Sequence, residues 1–212
     1  MFIELIDLLR CVRPHDETWL VASFSKVNNR FVEEAKLGCP SCGAEYWIRG
    51  GVADFGGGVI LPECEHERKV ASHRREELAT RAGAYLEATE PGATVVLGGL
   101  WAYAAQELSD MAEIRVIAIN PPSEVRESES VGLVRVDSDI PVAAGSVLGV
   151  AVDAWFPAKI VESAMRVVRP AGRIVGPAVV KAPPELAILA HDDRYWVAQK
   201  APEVITISRA SR

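Results

Sequence analysis

Two cysteines in the first third of the chain have the spacing of a metal-binding knuckle. Cys39 and Cys42 are separated by two residues, so both thiolates can reach a single tetrahedral zinc ion. Pro40 restricts the turn between them, and Gly43 can adopt the positive φ that the chain needs just beyond the second cysteine. The knuckle therefore predicts half of a zinc site.

The other two ligands must come from another segment. Cys11 and His15 lie upstream, with enough chain before the knuckle for a β-hairpin, and would complete a site of three cysteines and one histidine. Cys64 and His66 are the alternative pair. With four protein ligands no coordination position is left for water, so the predicted zinc is structural rather than catalytic.

Two interpretations without a metal ion stay open for the knuckle. The cysteines could be small buried thiols, or they could perform thiol–disulfide chemistry of the thioredoxin type. The second is less favoured, because that motif opens a helix after a strand, whereas the segments flanking Cys39 and Cys42 have hairpin patterns. We therefore expect zinc.

Short elements surround the knuckle and must position its ligands. Residues 2–9 have the pattern of an amphipathic helix, and residues 19–24 and 46–52 have the apolar and β-branched character of strands. The asparagine pair at residues 28–29 marks a turn. The glycine run at residues 56–58 marks a domain boundary.

From residue 91 onward, apolar strands alternate with helices. This alternation indicates a mostly parallel sheet covered by helices on both faces, so the predicted fold class is α/β. The predicted strands are residues 94–97, 115–119, 132–136, 147–152, 173–180, 195–199 and 204–207. The predicted helices are residues 65–90, 100–111, 158–168 and 184–191.

Composition and charge disfavour several kinds of function. The 212 residues carry 29 acidic and 23 basic side chains and a net charge of −6, whereas nucleic-acid binding without sequence preference requires an excess of Lys and Arg. No stretch is long and apolar enough to span a bilayer. The first residues have acids inside their apolar run and make a poor secretory signal, so we expect a cytoplasmic protein.

Residues 1–60 resemble a family of small zinc-ribbon proteins that activate tRNA, ribosomal-RNA and release-factor methyltransferases. Members have a leading helix, two cysteine pairs joined by a hairpin, and then the segment Tyr-Pro-Ile-Arg-x-Gly-Ile-Pro; residues 46–52 of this chain are YWIRGGV. The departure lies in the first pair, where Pro14-His15 stands in the place of the second cysteine. Such ribbons hold a methyltransferase by strand pairing, so the resemblance implies a protein partner or a homo-oligomer.

Residues 75–210 resemble the class I S-adenosylmethionine methyltransferases. The most specific match is residues 165–175, MRVVRPAGRIV, where the family has a helix-to-strand corner typified by RVLRPGGRLV. A second match is residues 136–141, VDSDIP, followed by Gly145-Ser146. The last two predicted strands correspond to the family's antiparallel hairpin at the sheet edge. The resemblance implies a Rossmann-like methyltransferase sheet joined to the zinc ribbon.

The cofactor loop departs from this family. Members have an acid at the end of the first strand, followed by spaced glycines that let the backbone approach the methionyl part of the cofactor. Here Gly98 and Gly99 follow an apolar strand without an acid, and the bulky Leu100 and Trp101 come next. The glycine pair is therefore expected to form a tight turn rather than a cofactor loop.

Three further positions correspond to ligand-binding or catalytic positions of the family. Asn120 stands where members have an acid that binds the ribose hydroxyls, and Asp137 stands near the adenine amino group. Asp153 follows the fourth strand, where members place catalytic or substrate-binding residues, which makes it the catalytic candidate. The alternative interpretation of Asp153 is a surface carboxylate.

These observations predict three parts: a zinc-ribbon module (residues 1–60), a linker helix (61–90) and a methyltransferase-like Rossmann domain (91–212). The missing acids and the crowded glycine turn predict a non-catalytic binding or scaffold protein. The alternative is an active S-adenosylmethionine-dependent methyltransferase with its activator ribbon fused in cis. A zinc-dependent nucleic-acid binder is the third candidate, and the acidic charge disfavours it.

Overall fold

A computed structural model of the chain describes residues 1–56 and 73–202. Within these residues, the strands are β1 (Val21–Asn28), β2 (Phe31–Gly38), β3 (Glu45–Arg49), β4 (Val52–Asp54), β5 (Thr94–Gly98), β6 (Arg115–Ile119), β7 (Val131–Arg135), β8 (Val147–Ala151), β9 (Val168–Pro177), β10 (Leu186–His191) and β11 (Tyr195–Lys200). The helices are α1 (Ile3–Ile6), α2 (Arg75–Leu86), α3 (Ala105–Ala112) and α4 (Lys159–Val167), together with a 3-10 turn at Gly99–Ala104. The strands form one continuous sheet.

Strands β5 to β9 form the parallel part of this sheet. They stand in the order β7-β6-β5-β8-β9. The first of them in sequence, β5, is central; β6 and β7 follow on one side of it, and β8 and β9 on the other. β11 then pairs antiparallel with β9, and β10 pairs antiparallel with β11 at the edge. This mixed sheet is the Rossmann-like arrangement expected from the resemblance to class I methyltransferases, and it confirms the predicted α/β fold.

Strands β1 to β4 form an antiparallel meander on the other side of the sheet. β4 pairs in parallel with β7, with Val52 opposite Leu133 and Ala53 opposite Val134. The meander and the Rossmann-like strands therefore share one hydrogen-bonded ladder. The turn predicted at residues 28–29 is present between β1 and β2, where Asn29 has a positive φ of 46°.

Helices cover both faces of the sheet. On one face α1 and α4 pack against the strands, and Leu5 and Ile160 contribute to that core. On the other face α2 and α3 do so through Leu86 and Leu108. Side chains of β5 alternate between the two cores, with Val96 in the first and its neighbours in the second. Burial on both faces explains why the parallel strands are nearly continuous apolar runs.

The helix predicted at residues 184–191 is wrong. This segment contains strand β10, which pairs with β11. Its apolar run is short, and in short runs periodicity does not separate a helix from a buried strand, so the pairing decides. Asp192 shapes the hairpin turn, because its Oδ1 accepts the backbone N–H groups of Arg194 and Tyr195, each at 2.7 Å. The edge hairpin is thus one strand earlier than expected, and the strand predicted at residues 204–207 lies outside the described residues.

Three other predicted helices differ from the structure in extent. Of the helix predicted at residues 2–9, only Ile3–Ile6 forms α1. Within the predicted helix at residues 65–90, α2 ends before Glu87, which has a left-handed φ of 52°; residues 65–72 lie outside the described part of the chain. The helix predicted at residues 100–111 begins as the 3-10 turn and becomes α3 only from Ala105. None of the helices in residues 1–56 and 73–202 has the length and apolar character needed to cross a bilayer.

Candidate metal centre and cofactor crevice

The structure brings four of the predicted metal ligands together; we call this cluster the metal centre. The ligand atoms of Cys11, His15, Cys39 and Cys42 all lie within 4.8 Å of one another. The Sγ atoms of Cys11 and Cys42 are 3.8 Å apart, and the Sγ atom of Cys39 is 3.3 Å from Nε2 of His15. Zinc–sulfur bonds of about 2.3 Å in a tetrahedron place two sulfurs about 3.8 Å apart. The cluster could therefore hold a zinc ion, and Cys64 and His66 lie outside the described residues.

The knuckle between β2 and β3 supplies two of these side chains. The backbone N–H of Cys39 donates to the carbonyl of Ala44 at 2.8 Å, and the N–H of Gly43 donates to the carbonyl of Cys39 at 3.0 Å. Gly43 has a φ of +70°, which glycine adopts without strain. These bonds close a tight turn and direct both thiols toward the same point.

The segment between α1 and β1 supplies the other two side chains. Arg10 and Trp19 form a bridge at its ends, and the Arg10 guanidinium carbon lies 4.1 Å from the centre of a Trp19 ring. Nδ1 of His15 lies 2.6 Å from the carbonyl oxygen of Asp16. Because a carbonyl only accepts, Nδ1 carries the proton and Nε2 keeps its lone pair for a metal ion.

Hydrogen bonds favour the thiolate form of Cys39. Burial raises the pKa of the Cys39 thiol, but hydrogen bonds from the backbone N–H groups of Cys42 and Ser41, with further hydrogen bonds from Cys42 and Cys11, outweigh burial and lower this pKa to about 7. The thiolate is the form that binds metal ions. The hydrogen bond of His15 to the Asp16 carbonyl raises the pKa of the imidazole.

Tyr46 is a member of the cluster that the sequence did not single out. Its hydroxyl oxygen lies 3.1 Å from Sγ of Cys11 and accepts the backbone N–H of Val12 at 3.4 Å. Burial of the side chain and the hydrogen bond with Cys11 raise the pKa of the phenol. The residue stands in the YWIRGGV segment that carries the resemblance to the activator family, but one sequence gives no sign that its hydroxyl faces a cysteine.

The second candidate site is the crevice at the carboxyl ends of β5 and β8, where the strand order reverses. Open α/β sheets bind ligands at this position. In this chain the 3-10 turn after β5 is buried along its whole length. The Oδ2 atom of Asp153 accepts the buried N–H of Leu100 at 2.6 Å, and its Oδ1 accepts the N–H of Trp155 at 3.0 Å. The carboxylate that follows β8 thus binds the turn that follows β5.

Asp153 is not a surface carboxylate, so that alternative interpretation is wrong. The residue is only 3% exposed. Gly99 backs directly onto the carboxylate, and a Cβ atom at this position would clash with Oδ2. A buried carboxylate requires hydrogen-bond donors, and the backbone of the turn provides one. Whether Asp153 is catalytic stays a prediction.

Phe156 fills the neighbouring part of the crevice. A Cβ atom on Gly98 would lie 2.8 Å from its ring and 3.0 Å from the side chain of Ile119. The ring is 4% exposed and belongs to the apolar core. The glycine at the end of β5 therefore makes room for an aromatic side chain of the same chain.

Asn120 and Asp137 stand at the carboxyl ends of β6 and β7. Nδ2 of Asn120 donates to the carbonyl of Val136 at 2.9 Å, and its Oδ1 accepts the N–H of Val136 at 2.8 Å. Both polar atoms of the amide are thus used to extend the pairing of β6 with β7. Asp137 is exposed, and a Cβ atom on Gly56, which follows β4, would lie 2.5 Å from its backbone nitrogen.

Comparisons with known proteins give structural relatives only. Neither a family model nor a curated protein matches the chain. One similar solved structure contains the Haloferax volcanii Trm112 methyltransferase activator in complex with a protein assigned as a methyltransferase. The matched chain is 24% identical to this one with a TM-score of 0.43, and the match covers 53% of this chain and 56% of the matched chain. A second is a SAM-dependent methyltransferase from Aquifex aeolicus, 17% identical with a TM-score of 0.44, matching 63% of this chain and 95% of its own. A third, from Methanococcus maripaludis and assigned as an S-adenosylmethionine-dependent methyltransferase, is 10% identical with a TM-score of 0.46, over 71% of this chain and 100% of its own.

Proposed function

We propose that this chain is a non-catalytic, methyltransferase-like binding or scaffold protein whose ribbon is held by a structural zinc ion. The observation that carries the proposal is the closed crevice, in which Asp153 binds the N–H of Leu100 and Phe156 packs on Gly98. A cytoplasmic location is part of the proposal.

The closed crevice removes the groups that a cofactor would need. The N–H of Leu100 is a donor that a ligand at the glycine turn would use, and it is already taken by a carboxylate of the chain. An S-adenosylmethionine carboxylate brought to the same place would have to displace the Asp153 carboxyl group from this N–H. Both polar atoms of the Asn120 amide already bind Val136, and a neutral amide lacks the charge with which a carboxylate binds two ribose hydroxyls. A cofactor at the glycine turn would have to displace the contact of Asp153 with Leu100.

Isothermal titration calorimetry with S-adenosylmethionine tests the proposal directly. We expect no saturable heat at ligand concentrations up to about 1 mM, which corresponds to less than about 4 kcal/mol of binding free energy. Circular dichroism on the same sample shows that the protein is folded, and elemental analysis measures its zinc content. Binding at micromolar concentration would overturn the proposal.

The alternative is an active methyltransferase with its activator fused in cis. One observation favours it: β4 pairs with β7, and activator ribbons hold their methyltransferases by strand pairing. In this proposal residues 1–60 are the activator module, residues 61–90 the linker helix and residues 91–212 the catalytic domain. Transfer of a labelled methyl group from S-adenosylmethionine to RNA or protein of a matched lysate tests it, and the absence of both transfer and cofactor binding rejects it.

A second copy of the chain is the partner that the described surface favours. β1 is an edge strand that pairs only with β2 among the described residues, and it exposes Val21, Phe24 and Val27. Its one charged side chain, Lys26, forms an ion pair with Glu33 of β2. Two such edges can meet antiparallel about a twofold axis without placing like charges together, although each chain carries a net charge of −6.

Sedimentation velocity tests this dimer with a matched pair of variants. Phe24→Lys places a charge on the open edge and should shift a dimer to the monomer. Val179→Lys introduces the same charge at an apolar position in the β9–β10 connection that is more exposed than Phe24, and should leave the dimer intact. A wild-type monomer at micromolar concentration, or equal behaviour of the two variants, rejects the β1 interface.

A further inference from the structure

We propose that Tyr46 is a positioning residue of the metal centre, whose hydroxyl donates a hydrogen bond to the metal-bound thiolate of Cys11 and holds that ligand in place. The proposal rests on the zinc site proposed above. Its basis is the pair of contacts made by the phenol oxygen, 3.1 Å to Sγ of Cys11 and 3.4 Å to the backbone nitrogen of Val12.

The direction of the hydrogen bond follows from the chemistry of the three groups. The N–H of Val12 can only donate, so it occupies an acceptor position on the Tyr46 oxygen. The phenol proton then points elsewhere, and within residues 1–56 and 73–202 the other polar atom in contact with the oxygen is Sγ of Cys11. A metal-bound thiolate carries no proton and can only accept. The hydroxyl therefore donates to the ligand atom.

The charge of the centre explains why such a donor stabilises it. Zinc with three thiolates and a neutral imidazole has about one net negative charge, inside a chain that is itself acidic. Donors that reach the sulfur atoms reduce this excess. Backbone N–H groups of Ser41 and Cys42 serve Cys39. Cys11 has the N–H of Arg13 at 3.5 Å and the hydroxyl of Tyr46.

Cys11 needs an external anchor more than the knuckle cysteines do. Residues 11–18 form no helix or strand, whereas Cys39 and Cys42 stand in a tight turn between two paired strands. Tyr46 belongs to β3, opposite Leu37 of β2, so the sheet fixes its backbone. Its ring stacks on Phe55 with centroids 4.4 Å apart and planes inclined by 27°. A rigid phenol thus links the irregular segment to the ribbon.

Tyr46→Phe tests the proposal, because it removes the hydroxyl and keeps the ring on Phe55. We expect zinc affinity, measured by competition with a chromophoric chelator, to fall about 10- to 100-fold, as it does when outer partners of metal ligands are lost. Tyr85→Phe is the control: Tyr85 lies on α2, its ring packs against Trp101 in the other core, and its loss of a hydroxyl should leave zinc affinity unchanged. Both variants should retain the wild-type circular dichroism spectrum.

The absorption spectra of the cobalt-loaded proteins separate positioning from packing, because the sulfur-to-cobalt charge-transfer bands report on the metal-bound thiolates. If Tyr46 donates a hydrogen bond to Cys11, Tyr46→Phe should shift these bands relative to wild type, and Tyr85→Phe should not. Equal zinc affinity, or identical spectra of Tyr46→Phe and wild type, overturns the proposal. Failure of the wild type to bind zinc overturns it together with the zinc site. Binding of S-adenosylmethionine rejects the non-catalytic function and leaves the role of Tyr46 standing.

Discussion

The metal centre and the crevice arrange their polar side chains in opposite ways. In the metal centre four ligand atoms converge within 4.8 Å. In the crevice, the polar groups bind one another: the Asp153 carboxylate takes the N–H of Leu100, and the Asn120 amide takes both backbone groups of Val136. Side-chain atoms that converge on one point indicate a site that can bind a ligand. Polar groups that form hydrogen bonds with one another indicate a site that the chain itself has closed.

Removal of the metal should produce the largest effect. Structural zinc contributes on the order of 10 kcal/mol in small zinc-binding peptides, so we expect a chelator or Cys39→Ser to unfold the ribbon locally. Hydrogen exchange followed by mass spectrometry should show loss of protection in β3 and β4, while β5 and β6 stay protected. Equal protection of β3 in the chelated and untreated protein would show that the ribbon does not depend on metal.

Phe156→Ala should produce the next largest effect. It tests whether the Phe156 ring alone prevents a cofactor from binding in the crevice. Removing a buried Phe side chain costs about 3–5 kcal/mol, which a urea unfolding curve measures. Phe156→Leu is the control, since it keeps most of the buried volume. If S-adenosylmethionine binds Phe156→Ala and not wild type, the aromatic ring alone closes an otherwise intact site. The crevice would then differ from the metal centre only because a side chain of the protein fills it.

Asp153→Ala should destabilise the protein by about 1–3 kcal/mol, because the buried N–H of Leu100 would lose its acceptor. Asp153→Asn keeps an oxygen that can accept, so it should cost less, again by urea unfolding. If any methyl-transfer activity is found, its loss in a stably folded Asp153→Asn protein would instead assign Asp153 a catalytic role.

Asn120→Asp should produce the smallest effect, about 1 kcal/mol. The change restores the acid that methyltransferases have at this position, but it replaces the donor to the Val136 carbonyl by a negatively charged oxygen. We expect a small loss in the thermal unfolding midpoint and no gain in cofactor binding by calorimetry. A gain in binding would mean that the crevice is open and that only its charge was missing.

The sequence anticipated the parts of this protein that depend on local spacing. Strands β5 to β8 of the Rossmann-like half overlap predicted segments, because burial on both faces leaves continuous apolar runs. β9 begins at Val168, five residues before the strand predicted at residues 173–180. The Cys39-x-x-Cys42 knuckle is likewise local, and the predicted Cys11 and His15 do lie beside it. The helix predicted at residues 184–191 was wrong, because a short apolar run takes its conformation from the strand that pairs with it.

Contacts between distant residues could not be predicted from one chain. The bond from Leu100 to Asp153 joins residues 53 positions apart, and the hydroxyl of Tyr46 reaches Cys11 across 35 positions. No periodicity or spacing encodes such pairs, and the sequence therefore left Asp153 open to interpretation as a catalytic or a surface residue.

By itself, the sequence determined which residues are apolar, which can bind metal and which positions differ from the acids of the methyltransferases that it resembles. The tertiary structure decided how those residues are used. It joined β4 to β7, so that one hydrogen-bonded sheet contains both the β1–β4 meander and the Rossmann-like strands, and it placed Asp153 and Phe156 in the crevice. The physical reason is that hydrogen-bond satisfaction and close packing depend on which buried groups meet in space, and the chain order does not state this.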